Sequence, residues 1–171
     1  KLNWVDGQFQ INALDIYDVV IDPLTNALDI ETARFVIHQN IFKSVRQILA
    51  DERYTKEGKA ELKTYLSGTD AVIQEATNKE EMQKRQERLV AMGVNESDFD
   101  TFGAGDVIVN LTEHYTNLWE DGEWVKYVCV YANDRVLLLK EKMVDLLGVE
   151  FYPFVSWAED IESQDFWSDS T

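Results

Sequence analysis

The chain has 171 residues, 45% of them hydrophobic, and its five Trp, seven Tyr and eight Phe supply enough bulk for a buried core, which excludes disorder except at the ends. Thirty-two acidic residues stand against 16 basic ones, a net charge of −16 that opposes broad contact with nucleic-acid phosphates or an anionic membrane and favours solubility. No apolar run approaches the ~18–20 residues of a bilayer span, Lys1 to Asp6 lacks the layout of a signal peptide, and the single Cys129 excludes an internal disulfide framework and reads as a buried, inert thiol in a reducing compartment.

Gln8 to Asn12 alternates as a strand, and Ile16 to Ile21 reads as another, stopped by Asp22-Pro23 because proline cannot continue a ladder. Leu24 to Glu31 is a turn-rich connection. Ala33 to Asn40, rich in β-branched and aromatic residues, is a third strand. The period then changes. Val45, Ile48 and Leu49 fall at helical spacing within Lys43 to Tyr54, and Thr55 caps a second helix with Leu62, Tyr65 and Leu66 as its apolar stripe and Gly58 weakening its first turn. Thr69 or Asp70 caps a third, in which Val72, Ile73 and Ala76 are expected to face inward. Gln74 to Arg88 is almost entirely polar and predicts a solvated helix face carrying i,i+4 pairs such as Glu80–Lys84 and Glu81–Arg85. Lys84, Arg85 and Arg88 form a basic spot on that face, and Leu89, Val90 and Met92 are expected to re-enter the core before Gly93 ends the helix.

Val107 to Trp157 dictates its own geometry most strongly. Alternation from Val107 to Trp119 leads to Glu120-Asp121-Gly122-Glu123, and Asp-Gly between alternating segments is the strongest short-range hairpin signal. Trp124 to Tyr131 is the return strand, Ala132 to Arg135 a second tight turn, and Val136 to Leu139 the third strand of a meander. Glu150 to Trp157 reads as one further strand. The expected fold is a single α+β domain over 1–171: an antiparallel sheet body, with strands near 8–21, 33–41 and 107–157, carrying a helical insert near 43–93.

The residues themselves assign no catalytic, cofactor-binding or metal-binding site. His38 and His114 sit in predicted strands, and with Cys129 they fall short of the ligand set a zinc ion needs. Asp98, Asp100 and Gly103 match the start of a calcium loop, but Phe102 and Val109 occupy positions that must supply oxygen, so the motif fails. Gly103-Ala104-Gly105 precedes a strand and opens no helix, which excludes a dinucleotide loop. Carboxylate pairs such as Glu120/Glu123 and Glu159/Asp160 abound in so acidic a chain and single out nothing. Asn95-Glu96-Ser97 and Asn110-Leu111-Thr112 fit the glycosylation pattern, without a secretion signal to give it weight.

Three stretches carry a likeness through their order. The first is Ala13 to Pro23 with Ala33-Arg34-Phe35-Val36-Ile37: a strand ending in Asp-Pro, then one opening on a small residue and Arg. The second is Val107 to Leu139, with Glu113, His114 and Tyr115, an acidic-Gly hairpin and an aromatic return strand. The third is Tyr152-Pro153-Phe154-Val155-Ser156-Trp157, leading to Glu159-Asp160-Ile161 and Asp165 to Asp169. Together they resemble the portal protein of tailed bacteriophages and prophages, the head-tail connector. None of the motifs is catalytic, and the polar segment near 74–100 lies outside the likeness.

The resemblance implies a wing-region fragment without stem, clip or crown, and no enzymatic activity or cofactor. It implies a virion structural protein at the capsid portal vertex, assembled in the host cytoplasm. There it would join a cyclic ring of about a dozen copies of itself, with the terminase motor and the capsid and tail adaptor proteins as partners. DNA would pass through the channel during packaging and ejection without sequence-specific binding, and no membrane is involved. Two other readings stand beside it. One is an interaction or adaptor module that uses the aromatics Tyr115, Trp119, Trp124 and Tyr127 as a contact patch. The other is a carboxylate-dependent hydrolase using Glu113 with Glu123.

Overall fold

The computed structural model describes residues 1–5, 8–25, 29–99, 101–103 and 105–155. The strands are β1 (Leu2–Val5), β2 (Gln8–Ile11), β3 (Val19–Ile21), β4 (Phe35–Ser44), β5 (Ile108–Glu120), β6 (Glu123–Ala132) and β7 (Val136–Lys142). The α-helices are α1 (Val45–Ala50), α2 (Lys56–Leu66), α3 (Thr69–Ala91) and α4 (Met143–Leu147). Strands β1 and β2 pair antiparallel as a separate ribbon, with Trp4 opposite Phe9. The remaining strands form one five-stranded antiparallel sheet in the order β3-β4-β5-β6-β7. The fold is therefore α+β, with α1 to α3 inserted between β4 and β5.

The meander is fixed by its turns. Asp121 and Gly122 have φ of +50° and +92°, and Asn133 and Asp134 have +50° and +54°. Left-handed values at both central residues make each a type I′ turn, whose twist matches that of the strands it joins. Asn and Asp tolerate this region better than other side-chain-bearing residues do, so the second turn manages without glycine.

Two compact units share out the elements. One comprises Lys1–Ile37, His114–Val128 and Glu141–Thr171. Its core gathers Ala33, Val36, Tyr115, Tyr127, Val128, Met143, Tyr152 and Phe154, all buried. Tyr115 and Phe154 meet edge to face at 5.0 Å between centroids, the arrangement aromatic quadrupoles prefer. The expected last strand is not one: Phe151 to Val155 is irregular, held by the Leu2 amide donating to the Pro153 carbonyl at 2.7 Å. Pro153 has no amide for a ladder. Ser156 and Trp157, with Glu159, Asp160 and Asp165 to Asp169, lie outside the described residues. Between β7 and this segment stands α4, which ends on Gly148 at φ +70°.

The other unit comprises His38–Glu113 and Cys129–Lys140. Ile48, Leu62, Val109, Leu111 and Leu138 are almost wholly buried there, each contributing about 1.5–3 kcal/mol. β4 runs to Ser44, further than the sequence suggests, because Ser44 is the cap of α1: its Oγ accepts from the Gln47 amide and the Gln47 Oε1 accepts from the Ser44 amide. Thr55 caps α2 as expected, its Oγ1 accepting from the Gly58 amide at 3.0 Å. Gly58 is there for space, not as a weakness. An added Cβ would lie 2.5 Å from the Leu137 carbonyl oxygen and 2.9 Å from the Leu138 Cα.

Helix α3 departs furthest from expectation. Its cap position is Gly68, not Thr69 or Asp70. Val72 and Ile73 are each 72% exposed, Ala76 is exposed, and Val90 and Met92 also face solvent. The inward residues are Ala71 and Asn78. Asn78 is fully buried and donates through Nδ2 to the Ile108 carbonyl and to Asn133 Oδ1, both at 2.9 Å. The helix is thus tied down by an amide network, whose partners sit at the start of β5 and in the second turn. At its far end the amides of Gly93 and Val94 donate to the carbonyls of Val90 and Leu89. This is a Schellman closure around a left-handed glycine.

Candidate functional site

In the first unit a compact polar joint links β3, β4, β5 and the Phe151–Val155 segment. Asp22 directly follows β3 and is 2% exposed. Its Oδ2 accepts from the Arg34 amide at 3.2 Å and Nε at 2.6 Å, and its Oδ1 accepts from Arg34 Nη2 at 2.9 Å and the Leu24 amide at 3.1 Å. The Arg34 guanidinium, helped by these amides, holds the Asp22 carboxyl well below the usual carboxylate range. The Arg34 carbonyl accepts from the Asn117 amide of β5 at 3.1 Å. The Tyr152 hydroxyl donates to the Ala33 carbonyl at 3.1 Å, and burial pushes that hydroxyl's pKa up. Glu31 accepts from the Tyr152 amide at 2.7 Å and pairs with Lys126, whose ammonium lies 4.4 Å from the Tyr152 ring centroid. Each charge in the joint faces an opposite charge or a donor, an arrangement that holds strands in register.

The carboxylates considered for hydrolysis have separate neighbours. Glu120 accepts from the Tyr127 hydroxyl at 2.9 Å and pairs with Lys142 at 2.6 Å. Glu123 is exposed beside the turn. Glu113 lies 3.3 Å from Nδ1 of the largely buried His38, and His114 is, like His38, a strand residue. Asp106 accepts from the Gly103 amide at 2.8 Å and lies 3.5 Å from Arg46, while Asp100 falls outside the described residues. Among the described residues no group of three or more His, Cys, Asp or Glu could hold a metal ion, and no helix is long and apolar enough to cross a membrane. Cys129 is buried, which raises its thiol pKa and keeps it unreactive.

On α3, Lys84 of the basic spot is paired with Glu80 at 2.5 Å and Lys79 with Glu75 at 2.6 Å, on a solvated ion-pair face. A shallow groove of about 540 Å³ runs past Gln83, Glu87, Val90 and Phe99. The Asn110 backbone amide donates to Asn133 Oδ1 at 3.0 Å, and Thr112 is buried against Asp134 at 2.7 Å, so that glycosylation motif lies within β5 with its Thr in the core.

The four aromatics expected as a contact patch divide. Tyr115 and Tyr127 are core residues, 3% and 8% exposed. Trp119 and Trp124 are 61% and 68% exposed, with their rings 5.1 Å apart at 72°. The two-residue turn sets Glu120 opposite Glu123 and hence Trp119 opposite Trp124. Alternation puts Tyr115, Trp119 and Trp124 on one face and Tyr127, three positions from Trp124, on the other. It does not show where along the first face the core stops, so only the split of Tyr115 from the two Trp was not legible in sequence. No family model, no curated protein and no solved structure matches this chain.

Proposed function

We propose that the chain is a structural part of a tailed-phage or prophage portal, a wing-region segment of the ring through which DNA enters and leaves the capsid. The observation that supports this reading most is the polar joint around Asp22 and Arg34. The stretches that resemble a portal contribute to it in turn: Asp22-Pro23 and Ala33-Arg34 through the bidentate pair, β5 through Asn117, and the Tyr152-Pro153-Phe154 segment through the Tyr152 hydroxyl. Residues that look like a family signature are here the ones that fix strand against strand, which is the role expected of them in a part that must keep its shape while DNA moves past.

In this reading the partners are neighbouring copies in a cyclic, heterologous ring, the terminase motor, and capsid and tail adaptors. An acidic balance of −16 suits a surface beside which DNA slides without being held. The test is electron microscopy of the natural gene product that carries this sequence. Closed rings of about a dozen subunits are expected. A product that stays monomeric at micromolar concentration, or one that turns over a substrate, overturns the reading.

A further inference from the structure

We propose that the tip of the β5–β6 hairpin, formed by Trp119 and Trp124 with Asp121 and Glu123, is a docking site for an arginine-bearing basic segment of a partner protein. The inference stands apart from the ring reading, since it rests on the tip alone.

The first observation is the exposure of the two indoles. A cross-strand Trp pair strengthens its own hairpin. Valine or threonine would also suit that position without leaving two large rings in water. Trp119 at 61% and Trp124 at 68% exposure meet edge to face, which leaves their outer faces in water, and Asp121, Gly122 and Glu123 beside them are exposed as well. Apolar area concentrated in this way marks a contact site, and Trp is the side chain most enriched where partners anchor.

The second observation is charge. Asp121 stands at the apex of the turn and Glu123 begins the return strand, both exposed, and among the described residues neither makes an ion pair. Nearby Lys142 is already committed to Glu120, and Lys126 to Glu31. A surface that offers indole faces and unneutralised carboxylates favours one class of ligand. Guanidinium is planar and weakly hydrated, stacks on Trp and donates to carboxylate at once, which ammonium does less well. A second copy's own hairpin tip is disfavoured as occupant, because it would set Asp121 and Glu123 against the same carboxylates.

Calorimetric titration of the full chain with a synthetic peptide of alternating Arg and Gly, in about 150 mM salt, tests the proposal. The control peptide replaces every Arg with Lys. Arg peptide is expected to bind more tightly than Lys peptide, and Trp124→Leu to weaken it by roughly tenfold. D121N/E123Q is expected to weaken it about fivefold. Its turn becomes Asn-Gly, a favoured type I′ sequence, so it keeps the proposal testable if the Trp variant fails to fold. E61Q/E81Q removes the same charge from exposed helix positions on α2 and α3 and is expected to change affinity less than twofold. Equal losses in both charge variants would reduce the binding to bulk electrostatics and overturn the site. So would equal affinity for the two peptides with Trp124→Leu unchanged. Dimerisation by sedimentation, lost in Trp124→Leu, would assign the tip to a second copy and overturn it too.

Discussion

Asp22 gathers four hydrogen bonds at one buried carboxylate. Its two oxygens accept from the guanidinium and from two backbone amides while it is 2% exposed. Removing the charge would leave a guanidinium facing a neutral amide, and the amides of Leu24 and Arg34 with a weaker acceptor. The pH dependence has a fixed sign. Because the folded-state pKa is depressed, the pair stabilises fully above the carboxyl's unfolded value near ~4 and loses that contribution as pH falls through and below it. Asp22→Asn should therefore melt below the parent protein at pH 7, with the gap narrowing steadily once pH drops under about 4. Thermal unfolding followed by circular dichroism at a series of pH values checks this. A gap that is the same at pH 7 and pH 3 would mean that shape, not charge, is what Asp22 supplies.

At the scale of elements, Gly58 sets helix propensity against packing. In an exposed helix, Gly→Ala gains up to about 1 kcal/mol. Here the new methyl would meet two backbone atoms of β7, the Leu137 carbonyl oxygen and the Leu138 Cα, neither of which can swing aside. Overpacking of this kind costs roughly 1–3 kcal/mol, so Gly58→Ala should lower stability in urea unfolding in spite of its better propensity. What could be read in advance follows the same division between local and distant causes. The Thr55 cap, the Asp121-Gly122 turn and the Gly93 stop were legible because each is decided within four or five residues of chain. The inward face of α3 was not. Val72 and Ile73 look like core, yet the helix is rotated so that Ala71 and Asn78 face in, and the reason is an amide partner 55 residues away at Asn133. The Asp22–Arg34 pair was visible only as two motifs, since nothing in their spacing shows that they touch. Helix α4 did leave a signal, an apolar run closed by Gly148, ahead of the expected last strand. At the hairpin Tyr127 was separable by alternation, since it lies three positions from Trp124 and faces the other side of the sheet, whereas only the run of the core separated Tyr115 from the exposed Trp119 and Trp124.

For the whole molecule the governing quantity is the excess of 16 negative charges. Ion pairs offset part of it, but those at Glu75–Lys79 and Glu80–Lys84 are exposed, and pairs of that kind contribute only about 0–1 kcal/mol. Most of the remaining carboxylates repel one another across the surface, so the folded state carries a self-repulsion that the expanded chain relieves. Salt acts on the two terms unequally. Raising ionic strength from 0.01 M to 0.15 M shortens the screening length from about 30 Å to about 8 Å, which removes long-range repulsion while leaving the Arg34–Asp22 contact, whose carboxylate is buried, largely intact. Stability should accordingly rise with salt, where a protein held mainly by surface ion pairs would lose it. A gain of 1 kcal/mol corresponds to about 2–4 °C in a chain of this length, so the melting temperature at pH 7 is expected to climb by a few degrees over that range and then flatten. A melting temperature that falls on adding salt would show that the visible pairs, and not the unpaired acids, dominate the electrostatics of the fold.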